Sequence, residues 1–133
     1  MKVLIDTNIL ISAALFPDST PFKAYAKAVS FPYEAVVCEQ NIDEMKRIFY
    51  RKFPHRIDAL DRFLAAALLV PDIISVPDEK DAREEQIRDY YDRPILRSAI
   101  KAGADIILTG DKDFLESRIT DPRIMSAAEF MNL

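Results

Sequence analysis

Asp111 and Asp113 follow an apolar run in Ile107-Leu-Thr-Gly-Asp-Lys-Asp-Phe114, and Asp6 follows another in Val3-Leu-Ile-Asp-Thr-Asn8. Glu44 and Asp92 stand in two further segments. Carboxylate oxygens are the ligands that hard divalent cations take. With no His or Cys beside these acids, Mg2+ or Mn2+ suits them better than zinc. Ions held in this way can clamp a phosphodiester, activate a water and stabilise a leaving oxygen. Carboxylates gathered without a cation repel one another, so a purely structural cluster is costly.

Each acid taken alone also has a plainer reading. Asp92 precedes Arg93-Pro94 and reads as a helix N-cap, with proline in the first turn. Glu44 stands three residues after Asn41, where a capping box places its acid. Asp113 reads as a solvated turn residue. Asp6 and Asp111 end apolar runs at the edge where open α/β sheets keep their ligand sites, and there structure and chemistry are evenly balanced. The plain readings lose ground only jointly.

The elements that must bring the acids together follow from periodicity. Short apolar runs predict strands at Val3–Ile5, Glu34–Cys38, Ile73–Val76, Ala104–Thr109 and Arg123–Ser126. Helical spacing predicts a helix opening at Ile9 and one capped by Thr20 with Pro21 in its first turn. Further helices are expected from Asn41 to Pro54, over Arg56 to Leu69, from Asp92 to a stop at Gly103, and over Ala127 to Met131. Lys80 to Tyr91 is charged and loosely patterned, a short helix and loop leading into Asp92. Gly110 reads as the residue that lets the chain turn sharply before Asp111. Alternating strands and helices predict an α/β fold with a central parallel sheet of about four to five strands flanked by helices, in a single domain over residues 1–133.

Half of the residues are apolar and 30% are charged, a globular composition without a disordered signature. The net charge of −4 does not mark a nucleic-acid binder by bulk charge, although a divalent ion inverts the field around an acidic site. No apolar stretch predicts a membrane span, and the opening strand does not read as a signal peptide. Cys38, the single cysteine, reads as a buried strand residue suited to a reducing cytoplasm. His55, the single histidine, reads as a surface residue rather than a general base. Arg47 and Arg51 share a helix face with Glu44, and Arg93, Arg97 and Lys101 recur every four residues; both stripes could track phosphates or simply be solvated faces. Tyr90 and Tyr91 could stack on unpaired bases, but helix packing is the commoner use of such aromatics.

With those residues in place, the chain resembles the PIN domain, the ribonuclease fold of VapC-type toxins. The resemblance rests on Val3-Leu-Ile-Asp-Thr-Asn-Ile9, Glu44 with Met45-Lys-Arg47, Asp92-Arg-Pro-Ile-Leu96, and Ala102-Gly-Ala-Asp105 leading into Thr109-Gly-Asp-Lys-Asp113. It implies an endoribonuclease dependent on Mg2+ or Mn2+ and working by metal-activated water, with Asp6, Glu44, Asp92 and Asp111 as the metal-binding quartet. Asp113 would be an auxiliary ligand. Asn8 would donate to Asp6, and Thr109 would orient a carboxylate or water. Asp89, one helical turn before Asp92, is the competing position for the third acid. The resemblance further implies an RNA substrate, an antitoxin partner and a homodimer. Other readings are a PIN-like fold kept as a binding module, a receiver-type signalling domain and a haloacid-type phosphotransferase. The last two want paired acids after the first strand, where this chain has Asp6-Thr-Asn8.

Overall fold

A computed structural model describes all 133 residues. Five strands, β1 (Lys2–Ile5), β2 (Glu34–Cys38), β3 (Asp72–Ile74), β4 (Ile106–Leu108) and β5 (Arg123–Met125), form one sheet in the order β3-β2-β1-β4-β5. All four pairings are parallel. Parallel strands need crossovers, and helices supply them: α1 (Thr7–Leu15), α2 (Thr20–Ala28), α3 (Glu39–Lys52), α4 (Ile57–Ala66), α5 (Arg93–Ala102) and α6 (Lys112–Leu115), with α7 (Ala127–Met131) following the last strand.

Helices cover both faces of the sheet, so the strands bury successive side chains on opposite sides. Val3, Ile5, Val37, Ile106 and Leu108 join one core with α1 to α4 and α7. Leu4, Val36, Cys38 and Ile107 join the other with Ile95, Leu96 and Ala99 of α5. Each such aliphatic side chain contributes roughly 1.5–3 kcal/mol on leaving water. The smaller core matters most for the site, because it fixes α5 and the residue at its head.

β1 is central, and the chain leaves it towards β2 on one side while β4 lies on the other. This is the point where the strand order reverses, the usual ligand crevice of an open α/β sheet. Ile5 pairs with Leu108, and the Asp6 N–H donates to the Leu108 carbonyl at 3.0 Å. Asp6 and the residues after β4 therefore emerge side by side.

Several boundaries differ from the sequence expectation. α1 opens at Thr7 rather than Ile9, with Asp6 as its N-cap. Ser19, not Thr20, caps α2, its hydroxyl accepting from the Phe22 N–H at 3.3 Å. The expected helix over Arg56 to Leu69 is α4 with a 3-10 turn at each end. Lys80 to Tyr91 holds only 3-10 turns, at Ala82–Gln86 and Tyr90–Asp92. Gly103 ends α5 at φ 72°, the left-handed cap expected of it. Gly110 has no such conformation, and a Cβ there would make only ordinary contact with Asn8.

Candidate metal centre

The tip of β1 buries a charge. Asp6 is only 5% exposed, and both of its oxygens are engaged. Oδ1 accepts from the Thr7 N–H at 2.8 Å and from Asn41 Nδ2 at 3.0 Å; Oδ2 accepts from the Thr109 hydroxyl at 2.7 Å. Burial nevertheless pushes this carboxyl up to about 6, with the charges of Glu44 and Asp111 acting in the same direction.

Thr109 joins the two central strands. Its hydroxyl donates to Asp6 and accepts from the Asp111 N–H at 3.0 Å, so one buried side chain sets two acids. Asp111 caps α6, and its Oδ1 accepts from the Asp113 N–H at 2.9 Å. The orienting role expected of Thr109 thus has a geometric basis. The role expected of Asn8 does not: its Oδ1 accepts from the Gly110 N–H at 3.0 Å and fixes the turn before Asp111, and it makes no bond to Asp6.

The side-chain amide that donates to Asp6 is that of Asn41, a residue the sequence marks for capping. α3 begins at Glu39, two residues earlier, and Asn41 is fully buried. Its Nδ2 reaches both Asp6 and, at 2.8 Å, the Thr7 hydroxyl, which in turn donates to Glu44 Oε2 at 3.2 Å. Asn41 and Glu44 are three apart and share a helix face, so α3 presents an amide and a carboxylate to the same place. Glu44 takes no part in a capping box.

Asp92 holds the N-cap position of α5, as expected, but its side chain does not cap the helix. It ends the 3-10 turn Tyr90–Asp92 with helical backbone angles and makes no capping bond. Its carboxyl instead meets that of Asp111, and burial, reinforced by Asp111, pushes it up to about 8. Oδ2 is buried, and no donor reaches it. Asp89 caps the same turn by accepting from the Tyr91 N–H at 3.0 Å.

Asp6, Glu44, Asp92 and Asp111 together line a cleft of about 80 Å3, with Asn8 and Ile48 on its walls. The space suits an ion and a few waters, at about 30 Å3 for each water. Asp113 lies beside this cleft, grouped with Asp89 and Asp92 so that one oxygen of each falls within 4.8 Å of the others. Its carboxylate pairs with Arg88 at 2.8 Å. None of the four cleft acids has a lysine or arginine partner. An all-oxygen donor set, an orphaned buried oxygen and two carboxyls raised by burial and crowding fit a hard divalent cation.

The basic residues divide. Arg47 and Arg51 are exposed on α3. Arg93 donates from Nε to the Ile87 carbonyl at 3.0 Å. Arg97 is not part of a solvated stripe: it pairs with the buried Glu84 at 2.8 Å and donates to the Pro77 carbonyl at 3.0 Å. Tyr90 and Tyr91, expected to pack, are 63% and 80% exposed. His55 is exposed and Cys38 is buried, as expected. Arg88 and Glu84 went unnoticed in the sequence because their partners lie 13 to 28 residues away.

The family model described as "PIN domain" matches residues 2–113. The chain belongs to the PIN domain family. Among solved structures, the PIN chain is similar to VapBC2 from Rickettsia felis bound to a DNA fragment from its promoter (TM-score 0.69, 16% identity, 95% of this chain and 98% of that one). It is also similar to DNA-bound VapBC from Salmonella typhimurium (TM-score 0.67, 16% identity, 96% and 98%). A third similar structure is VapC20 of Mycobacterium tuberculosis, a toxin that cleaves the sarcin-ricin loop (TM-score 0.62, 18% identity, 86% and 93%). Comparison with curated proteins finds no match. Family membership sets aside the receiver and phosphotransferase readings. No helix of this PIN domain is long and apolar enough to cross a membrane.

Proposed function

We propose that this PIN domain is an endoribonuclease dependent on Mg2+ or Mn2+, and the toxin of a toxin–antitoxin pair. The observation that carries the reading is the cleft of four carboxylates without a counter-cation at the switch point of the sheet. Asp6, Glu44, Asp92 and Asp111 would hold the ion, with Asp113 at its margin. A bound ion there supplies Lewis acidity towards a phosphodiester and lowers the pKa of a water. The side chains do the positioning. Asn41 and Thr109 fix the two oxygens of Asp6, Thr7 fixes Glu44, and Asn8 fixes the turn that presents Asp111. No side-chain nucleophile is needed: water attacks phosphorus and the 3′ oxygen leaves, giving 5′-phosphate and 3′-hydroxyl ends. Arg47 and Arg51, on the exposed side of the Glu44 helix, bind flanking phosphates.

The similarity to VapBC complexes supports an antitoxin partner.

The test is cleavage of bulk cellular RNA with Mn2+ or Mg2+, by wild type, wild type in EDTA, and Asp6→Asn. Cutting lost in both controls supports the nuclease. No cutting and no metal binding would leave a PIN fold serving as a binding module.

A further inference from the structure

A second cavity, of about 540 Å3, is lined by Lys80, Tyr90, Arg93 and Pro94 together with the Glu84–Arg97 pair. It differs from the acidic cleft in size and in charge. A volume in this range accommodates a small organic ligand rather than an ion. Arg97 and Glu84 neutralise each other, and Asp81 pairs with Arg83 at 3.0 Å. That leaves Lys80 and Arg93 as uncommitted cations against one uncommitted acid, Glu85. Arg93 uses only Nε, on the Ile87 carbonyl, so its two terminal nitrogens stay free.

Both cations gather round one aromatic ring. The Arg93 guanidinium carbon is 5.6 Å and Lys80 Nζ 6.0 Å from the Tyr90 ring centre, and Tyr90 is 63% exposed. An exposed aromatic beside free cations suits a ligand that carries a planar ring and a negative charge. The cavity is also tied to the acidic cleft by the chain itself. Tyr90 precedes Asp92 by two residues and Arg93 follows it directly, with consecutive Cα atoms about 3.8 Å apart.

We propose that this cavity binds an unpaired nucleotide of the RNA substrate, its base on Tyr90 and its phosphate between Lys80 and Arg93, next to the phosphodiester that is cut. This rests on the nuclease reading. A base held in a duplex stacks on its neighbours and cannot offer a face to Tyr90.

The experiment measures binding of a fluorescein-labelled five-nucleotide single-stranded RNA by anisotropy in EDTA, where no chemistry occurs. The proteins are wild type, Tyr90→Ala, Tyr90→Phe and Lys80→Gln, and a duplex of the same sequence serves as competitor. Tyr90 is largely exposed and its hydroxyl has no partner, so an unchanged melting midpoint will show that the variants fold. Tyr90→Ala is expected to weaken binding about tenfold, the size of one lost base stack, while Tyr90→Phe binds like wild type. Lys80→Gln should weaken binding and flatten its salt dependence, and the duplex should compete poorly. Equal binding by wild type and Tyr90→Ala, no binding by wild type, or equal competition by the duplex would overturn the proposal. Tyr90-dependent binding without metal-dependent cleavage would retain the nucleotide cavity and remove the nuclease. Cleavage with Tyr90-independent binding would do the reverse.

Discussion

The protein buries carboxylates in two places and treats them in opposite ways. At Glu84, burial pushes the carboxyl up, but the Arg97 guanidinium and the Asp81 N–H reverse this and hold it below the usual carboxylate range. At Asp92 and Asp6, burial acts in the same direction, no guanidinium or ammonium answers it, and both carboxyls stay raised. The first is a finished ion pair that pins the Lys80 to Tyr91 segment against α5. The second is a set of acids whose counter-charge the fold does not supply. The difference separates a carboxylate that the fold has paired from carboxylates able to coordinate a divalent cation.

The contrast breaks most visibly at Asp92. Asp92→Asn should lower metal-dependent RNA cleavage by more than about 100-fold, exceeding the usual effect of removing a residue that merely orients a ligand. Without metal at pH 7, the same variant should be as stable as wild type or more so, because a neutral amide needs no proton, whereas Asp92, raised to about 8, must take one up to fold. Glu84→Gln should do the opposite. It leaves Arg97 buried without its partner and should cost about 3 kcal/mol in urea denaturation. If both variants shifted stability in the same direction, the two sites would not differ in kind.

Asn41→Ala sharpens the comparison, since it removes support from the acidic site without removing an acid. It should reduce Mn2+ affinity about 10- to 100-fold, measured by calorimetry. Asn8→Ala, which frees only the Gly110 N–H, should cost less.

The comparison also has a pH signature. Asp6 and Asp92 have folded values raised to about 6 and about 8, so the unfolded chain gives up their protons first. Their contribution to metal-free stability is fully present below the ordinary carboxyl value near 4, and it is lost as pH rises through 6 and then 8. Glu84 has the opposite sign, and its contribution disappears only as pH falls through its lowered value. Denaturation midpoints in EDTA between pH 5 and 9 should therefore decline, and Asp92→Asn should flatten the upper part of that decline.

What the sequence made legible follows from period and position. Asp6 and Asp111 were readable because a carboxylate just past a buried parallel strand has one place to point. Thr109 was readable because it stands between β4 and Asp111. The three inner strands, β1, β2 and β4, were readable because apolar runs buried on both faces resemble little else. Asn41 was misread because an asparagine near a helix start looks the same whether it caps or donates into the core; its spacing of three from Glu44 was the available signal. Asn8 was misread because its neighbour Gly110 is distant in sequence and adjacent only through strand pairing. Arg97 looked solvated because its partner Glu84 sits in a segment of 3-10 turns, which carry no clear periodicity. Tyr90 and Tyr91 looked like packing residues because the turn that exposes them was not foreseen.

The most direct test is calorimetric titration of Mn2+ into wild type and Asp92→Asn at pH 7, in buffers of different ionisation enthalpy. A cation site built from raised carboxyls must expel protons when it fills. Wild type should release about one proton per binding event, chiefly from Asp92, and Asp92→Asn should bind more weakly and release almost none. Absence of binding, or binding of equal strength in both proteins without proton release, would contradict the account.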